Sequence, residues 1–264
     1  MKTSFETIRF DEVRPHVGLL MLNRPEIANA INTRMAHELL EYFSALAADC
    51  AELRCLVVTG AGERAFCSGG DLKERHGMSD EVWAAQHVLM ERTIALMIES
   101  PIPIIAAVNG VAYGGGCEVA LATDFVYAAA EAMFALTETR LGIIPGAGGT
   151  QTLPRAIGTR RATELICTAT PFTAEEACSW GLVNKVVPVG QLMDETLRAA
   201  ELIAANAPLA VRQARKSIRA GIQMDLHHGL QFAIEAYNLL VRTEDRREGV
   251  RSFVEKRTPV FKGR

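Results

Sequence analysis

The segment Gly114-Gly115-Gly116-Cys117-Glu118 combines residue types that can stabilise an anion and transfer a proton. It follows the apolar run 104–108 and opens a helical pattern, so its glycines expose backbone N–H groups at a helix N-terminus, where negative charge is favoured. Glu118 adds a carboxyl group in the first helical turn, and Glu138 follows further along the chain. These residues suit a carbonyl oxygen that becomes negative during a reaction, with an acid or base beside it. A turn that serves packing alone is the alternative interpretation.

A second glycine turn, Ser68-Gly69-Gly70-Asp71-Leu72-Lys73, follows the apolar run 53–59. By itself it is compatible with an ordinary tight loop. If the two turns lie side by side, each can direct one N–H group at the same oxygen atom, which is the geometry of an oxyanion hole.

Common cofactor and metal motifs are disfavoured. Residues 60–65 imitate the glycine fingerprint of dinucleotide-binding domains, but a second glycine turn follows instead of a helix, and no strand ending in an acid appears about 20 residues later. Neither a phosphate-binding P-loop nor the G-x-S-x-G motif occurs. The six histidines and six cysteines lack metal-ligand spacing, so no metal site is expected.

The composition indicates a globular protein with a substantial core, because 49% of the 264 residues are apolar and 22% are charged. With 28 basic and 31 acidic side chains the net charge is −3, so nucleic acid is not an expected partner and an anionic ligand needs a local basic cluster. Residues 1–14 lack the apolar region of a secretory signal, and no apolar run approaches the ~20 residues that span a bilayer. With their scattered cysteines, these features predict a cytoplasmic protein that is not in a membrane.

Short apolar runs alternate with helical patterns in the first two-thirds of the chain, which predicts an α/β protein with mainly parallel strands. The expected strands are residues 16–22, 53–59, 104–108 and 124–128. Two helices are expected between them, and their apolar faces are predicted to be Met35, Leu39, Leu40, Phe43 and Leu46 in the first and Val82, Val88, Leu89, Ala95, Leu96 and Ile98 in the second.

From about Gly190 the pattern changes to consecutive helices, expected at residues 191–205, 208–220, 226–241 and 243–255. We therefore predict a core domain of residues 1–190 and a C-terminal helical region of residues 191–264. A helical region of this kind often covers an active site or makes subunit contacts. The alternative is that it only packs against the core domain.

Several segments in order resemble the crotonase, or enoyl-CoA hydratase/isomerase, superfamily along essentially the whole chain. They are residues 65–73, 109–118 and 138–146, with further matches at 23–25, 29–30, 148–151, 174–181, 245–249 and 253–256. The resemblance implies an α/β spiral of ββα units (the ClpP-like crotonase fold) followed by a helical trimerisation region. It also implies a homotrimer or a dimer of trimers.

The resemblance further implies a site for an acyl-CoA thioester. The thioester oxygen is then held by the backbone N–H groups of Gly70 and Gly115. Glu118 positions and activates a water molecule, and Glu138 supplies a proton to Cα. Coenzyme A is part of the substrate, and neither a metal nor a redox cofactor is expected.

Contacts to the CoA moiety follow from the same resemblance. The loop of Gly70, Asp71, Leu72 and Lys73 is expected to bind it, with Arg24 and Ala28 near the nucleotide end. Phe253 and Lys256 are expected to reach CoA bound to a neighbouring subunit.

Arg75 departs from the pattern of straight-chain hydratases, which often have an apolar residue there. In this respect residues 71–79 resemble methylglutaconyl-CoA hydratases. We therefore expect Arg75 to pair with a distal carboxylate on a branched acyl group, as in leucine degradation, because a buried guanidinium facing an alkyl tail is poorly compensated. A solvent-exposed Arg75 is the alternative.

The predicted activity is reversible addition of water to a 2-enoyl-CoA, as in fatty acid metabolism. One rival is a Δ3,Δ2-enoyl-CoA isomerase. Another is a non-catalytic CoA-binding or RNA-binding protein with the same fold.

Overall fold

Two β-sheets organise the protein, whose computed structural model describes residues 5–50 and 52–264. The strands in this part of the chain are β1 (Ile8–Arg14), β2 (Val17–Leu22), β3 (Cys55–Gly60), β4 (Ala65–Cys67), β5 (Ile104–Val108), β6 (Val111–Tyr113), β7 (Phe125–Ala129), β8 (Met133–Ala135), β9 (Phe172–Thr173) and β10 (Lys185–Val187). The larger sheet has the order β1-β2-β3-β5-β7-β10, and the smaller sheet has the order β4-β6-β8-β9.

The helices are α1 (Thr33–Ala48), α2 (Leu72–Arg75), α3 (Asp80–Ile98), α4 (Gly115–Leu121), α5 (Gly149–Ile157), α6 (Thr159–Thr168), α7 (Ala174–Ser179), α8 (Val189–Ala204), α9 (Pro208–Gly221), α10 (Leu226–Leu240) and α11 (Glu244–Glu255). Short 3-10 helices occupy Pro25–Ile27 and Glu138–Leu141. None of the helices in residues 5–50 and 52–264 is both long and apolar enough to cross a bilayer.

The predicted α/β class and parallel pairing are confirmed. From β2 to β10 all neighbours in the larger sheet are parallel, and β1 joins the edge as an antiparallel hairpin with β2. The four predicted strands correspond to β2, β3, β5 and β7. The sequence patterns missed β1, in which four of the seven residues are charged, and they also missed β10 and the strands of the smaller sheet, which have two or three residues and so cannot display a period.

The first predicted helix face is largely confirmed, but the second is wrong in detail. In α1, Met35, Leu39, Phe43 and Leu46 are buried, and the side chain of Asn32 caps the helix by accepting from the Met35 N–H. In α3, Val82 and Val88 are 52% and 46% exposed, and the buried residues are instead Gln86, Met90, Thr93, Ile94 and Met97. Two members of this face are polar and satisfied by hydrogen bonds, so a pattern of apolar residues alone placed the face incorrectly.

The four predicted C-terminal helices are present as α8 to α11, within two residues at their ends. Helix α8 packs against the larger sheet and buries Leu192, Leu197 and Ala200 in the core. Helices α9 to α11 bury few residues, and α10 leaves most of its apolar side chains exposed. The domain boundary at residue 190 stays a prediction.

Candidate active site

The smaller sheet explains how segments far apart in the sequence reach one site. Strands β4, β6 and β8 are parallel neighbours, so the segments that follow them leave the sheet at the same edge. Gly70 follows β4, Gly115 and Glu118 follow β6, and Glu138 follows β8. The two glycine turns and both glutamates therefore line one cavity.

The two predicted oxyanion donors lie side by side. A Cβ built on Gly69 would be 3.2 Å from the nitrogen of Gly115, and one built on Gly115 would be 3.9 Å from the nitrogen of Gly70. Ile31 holds the turn at Gly69 and Gly70, because its N–H donates to the Gly69 carbonyl over 2.8 Å and its carbonyl accepts from the Asp71 N–H over 2.9 Å. This parallel bridge leaves the Gly70 N–H on the opposite side of the chain.

Within residues 5–50 and 52–264, neither the Gly70 N–H nor the Gly115 N–H has a protein acceptor. Gly115 is the first residue of α4, whose N-terminal dipole favours negative charge. Glycine is required around these donors. Gly69 has a φ of +94°, and a Cβ on Gly116 would lie 2.1 Å from the Cys67 carbonyl oxygen. The arrangement can therefore bind an oxygen that gains negative charge.

Glu118 is 3% exposed and fixed by the backbone. Its Oε1 atom accepts hydrogen bonds of 2.8 Å from the N–H groups of Ala147 and Gly149, at the start of α5. Burial, together with the charge of Glu138, raises the pKa of Glu118 to about 7, against the lowering effects of the two N–H donors and of Arg75. The carboxyl group can thus hold or release a proton near neutral pH.

Glu138 begins a 3-10 helix and is 8% exposed. Its Oε2 atom is buried and has no hydrogen-bond partner among the described residues, while Oε1 lies 3.3 Å from a Cβ built on Gly114. Burial also raises the pKa of Glu138. A buried carboxyl group without a partner is costly as an anion, so Glu138 is suited to carry a proton towards the cavity.

Arg75 also lines the cavity and is half-buried, so the alternative of a solvent-exposed side chain is wrong. Its guanidinium lies over the Trp83 ring, 4.7 Å from the centroid, and 2.8 Å from the position of a Cβ on Gly70. Burial lowers the pKa of Arg75, and the carboxylates of Glu74, Glu118 and Glu138 oppose that shift. A fixed positive charge therefore faces the predicted acyl site.

The cavity has a volume of about 110 Å³, and its lining includes residues that the sequence patterns missed. One group lies on a single face of α3 and consists of Trp83, His87 and Met90. The other follows Glu138 in the chain and consists of Leu141, Ile143 and Ile144. The helical spacing of the α3 group is detectable in the sequence, but its direction depends on packing. Apolar side chains next to the glutamates suit an acyl chain.

The loop predicted to bind CoA is braced by an ion pair. Nη1 of Arg24 donates to Oδ2 of Asp71 over 3.1 Å and to the Ala30 carbonyl over 2.6 Å. Asp71 also caps α2 by accepting from the N–H of Lys73. Ala28 lies in the same region with a φ of +54°, and its carbonyl accepts from the Ser68 N–H. Arg24 thus holds the loop through its side chain, whereas Lys73 is exposed.

Other predicted contacts lie at or outside the cavity. Leu72 lines it and is partly exposed. Phe253 is largely exposed on α11, Lys256 ends that helix, and neither lines the cavity. Their predicted contact with CoA on a neighbouring subunit stays a prediction. No group of three or more His, Cys, Asp or Glu side chains in residues 5–50 and 52–264 is arranged to hold a metal ion.

Comparison with known proteins identifies relatives over nearly the full length. Residues 12–264 match the family described as enoyl-CoA hydratase/isomerase. A crystal structure of enoyl-CoA hydratase from Bacillus anthracis is 47% identical with a TM-score of 0.96, covering 98% of this chain and 100% of that one. (E)-Benzylidenesuccinyl-CoA hydratase from Thauera aromatica is 39% identical, covering 96% of this chain and 98% of the relative. Crotonyl-CoA hydratase from Syntrophomonas wolfei is 37% identical, covering 95% of this chain and 96% of the relative.

Proposed function

The chain belongs to the enoyl-CoA hydratase/isomerase family and has its crotonase fold, and on this premise we propose that it adds water reversibly across the 2,3 double bond of a 2-enoyl-CoA. One observation carries the proposal. Two buried carboxyl groups, Glu118 and Glu138, line the same cavity as the two unpaired N–H groups of Gly70 and Gly115.

The N–H groups act on the thioester. When the thioester oxygen accepts from Gly70 and Gly115, electron density moves towards that oxygen and Cβ becomes electrophilic. The negative charge that develops on the oxygen is stabilised by donors that are already in place, which need no reorganisation during the reaction. Water then adds at Cβ.

The two glutamates divide the proton transfers. Ala147 and Gly149 hold Oε1 of Glu118, which leaves its carboxylate oriented to take a proton from the attacking water. Glu138 has a raised pKa and an unpartnered oxygen, so it donates the proton that Cα receives. The product is a 3-hydroxyacyl-CoA, and the carboxyl pair returns to its starting state by exchanging a proton with solvent. Neither step calls for a metal or a redox cofactor.

The activity is tested with crotonyl-CoA in water enriched in heavy oxygen. Hydration consumes the enoyl thioester and places the label in the product. An isomerase leaves the product unlabelled and instead converts a 3-enoyl-CoA into a 2-enoyl-CoA. A protein that turns over no enoyl-CoA would favour the non-catalytic CoA-binding or RNA-binding alternative.

We further propose that the preferred acyl groups have a distal carboxylate, with methylglutaconyl-CoA as one example. Arg75 supports this proposal because its charge faces the cavity and an alkyl tail could not compensate it. One relative is named for benzylidenesuccinyl-CoA, and a succinyl thioester has a second, free carboxylate. The test is Arg75→Met, which should raise KM for methylglutaconyl-CoA and leave crotonyl-CoA turnover nearly unchanged. Equal effects on both substrates would refute the preference.

We also propose a homotrimer or a dimer of trimers. Four residues spaced along one face of α10 are large, apolar and exposed: Leu226, Leu230, Ile234 and Tyr237. Such a face is typical of a subunit contact. Light scattering should show an assembly of three or six chains, and the double variant Leu230→Glu/Ile234→Glu should dissociate it. A wild-type monomer would contradict this proposal.

A further inference from the structure

A buried glutamine connects three helices directly behind Arg75. Gln86 of α3 is 4% exposed, and its Oε1 atom accepts from Nε of Arg75 over 2.8 Å. Its Nε2 group donates to Oγ1 of Thr33 over 2.8 Å and to Oε2 of Glu74 over 3.0 Å. Glu74 in turn accepts from the Thr33 N–H at the start of α1. The network joins a buried glutamine to three partly buried residues, and Arg75, one of these, lines the acyl cavity.

The chemistry of the neighbours allows one orientation of the Gln86 amide. A carboxylate accepts hydrogen bonds and a guanidinium donates them, so the amide NH₂ must face Glu74 and the amide oxygen must face Arg75. In the reversed orientation the amide oxygen would face the Glu74 carboxylate, which is also an acceptor, and the amide NH₂ would face the Arg75 guanidinium, which is also a donor. The network therefore fixes which edge of the Arg75 guanidinium is engaged.

The engaged edge leaves the remaining donors of Arg75 available. Gln86 takes Nε, and Trp83 covers one face of the guanidinium. Among the described residues, Nη1 and Nη2 form no hydrogen bond or ion pair with protein. A guanidinium presents its donors as a rigid fork that matches a carboxylate, so an arginine held in this way is preorganised for an acyl carboxylate.

We propose that Gln86 is a positioning residue for Arg75, and that it sets the selectivity of the enzyme for acyl groups with a distal carboxylate. This inference rests on the proposed function. Without the acceptor on Gln86, the guanidinium loses the hydrogen bond that fixes its rotation, and its remaining donors are no longer held in one direction. The selectivity then falls even though Arg75 is still present.

The test compares crotonyl-CoA with glutaconyl-CoA, which differs from it by a carboxylate on C4. Gln86→Met keeps the approximate volume of the side chain and removes its hydrogen bonds. We expect KM for glutaconyl-CoA to rise about tenfold, the order expected for losing one charge-assisted hydrogen bond. The kcat for glutaconyl-CoA and both constants for crotonyl-CoA should stay within about threefold. Gln191→Met, at an exposed glutamine on α8, is the matched control and should change neither substrate.

Two further variants separate positioning from a general structural effect. In the Arg75→Met background, adding Gln86→Met should change KM for glutaconyl-CoA by less than about twofold, because the two residues act through one interaction. The double variant Gln86→Glu/Glu74→Gln keeps an acceptor at position 86 for Arg75 and places the amide donor at position 74. Its KM for glutaconyl-CoA should lie near the wild-type value, and this measurement tests the inference if Gln86→Met fails to fold.

The outcomes distinguish this inference from the proposed function. A wild type that hydrates neither substrate, or both with equal KM, contradicts the proposed function or its carboxylate preference, and the inference falls with it. A wild type that prefers glutaconyl-CoA, with a Gln86→Met variant that keeps the preference, overturns the inference alone. Additive effects of Arg75→Met and Gln86→Met also overturn it.

Discussion

The backbone N–H of Gly149 donates a hydrogen bond of 2.8 Å to Oε1 of Glu118. This contact joins the first residue of α5 to the first turn of α4 and fixes the direction of a carboxyl group that is almost fully buried. It also partly offsets the cost of ionising that group away from water. Glu118 can therefore be both rigid and titratable near neutral pH, as a general base requires.

Replacing either glutamate should abolish most of the hydration. Glu118→Gln removes the base and Glu138→Gln removes the proton donor, and we expect each to lower kcat by about 10²–10⁴-fold. Crotonyl-CoA hydration measured spectrophotometrically checks this, with Glu131→Gln at an exposed turn as the control. A Glu138→Gln variant with wild-type kcat would remove Glu138 from the mechanism.

The pH dependence should depend on the interaction between the two carboxyl groups. A base must be ionised, so kcat/KM should rise as pH increases through about 7, the pKa of Glu118. The two carboxyl groups titrate as a coupled pair, and the charge that Glu138 carries once it has lost its proton raises the pKa of Glu118, so Glu138→Gln should move the titration of Glu118 to lower pH. Carbon-13 NMR of the glutamate carboxyl carbons measures this directly. A titration that stays in place or moves to higher pH is inconsistent with the interaction.

Burial of Glu118 should lower the stability of the protein as pH rises. In the unfolded chain the group ionises near its ordinary value of 4.5, whereas the folded protein retains the proton up to about 7. The folded state thus binds more protons between these values, and its free energy of unfolding falls as pH rises through this window. Glu118→Gln does not ionise and keeps an oxygen to accept from Ala147 and Gly149. Between pH 5 and pH 8, the free energy of unfolding of this variant should gain up to about 3 kcal/mol relative to wild type.

Urea unfolding at the two pH values measures this gain. Glu131→Gln, at an exposed glutamate, should show none. If the difference in the free energy of unfolding between Glu118→Gln and wild type is the same at both pH values, Glu118 does not keep its proton in the folded protein above its ordinary pKa.

The oxyanion hole should be sensitive to a single methyl group. A Cβ on Gly115 would make contacts of 3.8 Å with Cα of Gly69 and 3.9 Å with N of Gly70, which the fold can accommodate. The methyl group would nevertheless occupy space between the two donors. We expect Gly115→Ala to lower kcat/KM by about 10²–10³-fold with little change in Tm. Gly190→Ala, which meets no atom within 4 Å, is the control, and equal activity of the two variants would argue against the proposed hole.

Part of the site was predictable because its signals are local. Glycine at positions 69 and 114 permits a positive φ, and the acidic residue in the first turn of α4 is visible from spacing alone. The resemblance at residues 65–73, 109–118 and 138–146 indicates the superfamily from the sequence alone. Periodicity also indicated α1, α3, α8 to α11 and the four longer parallel strands, but it missed the edge strand β1, the strands of two or three residues, and the helices α2 and α5 to α7.

The remainder depends on contacts between residues that are distant in the chain. Gln86 and Thr33 are separated by 53 positions, and neither has a pattern that indicates their hydrogen bond. Sequence by itself determined the glycine turns, the two glutamates and the family, because backbone freedom and residue type are local properties. Tertiary structure decided that the turns share one edge of a parallel sheet, that α3 buries Gln86 and Thr93 beside its apolar residues, and that Arg75 lines the cavity. These features come from packing, which no single segment specifies.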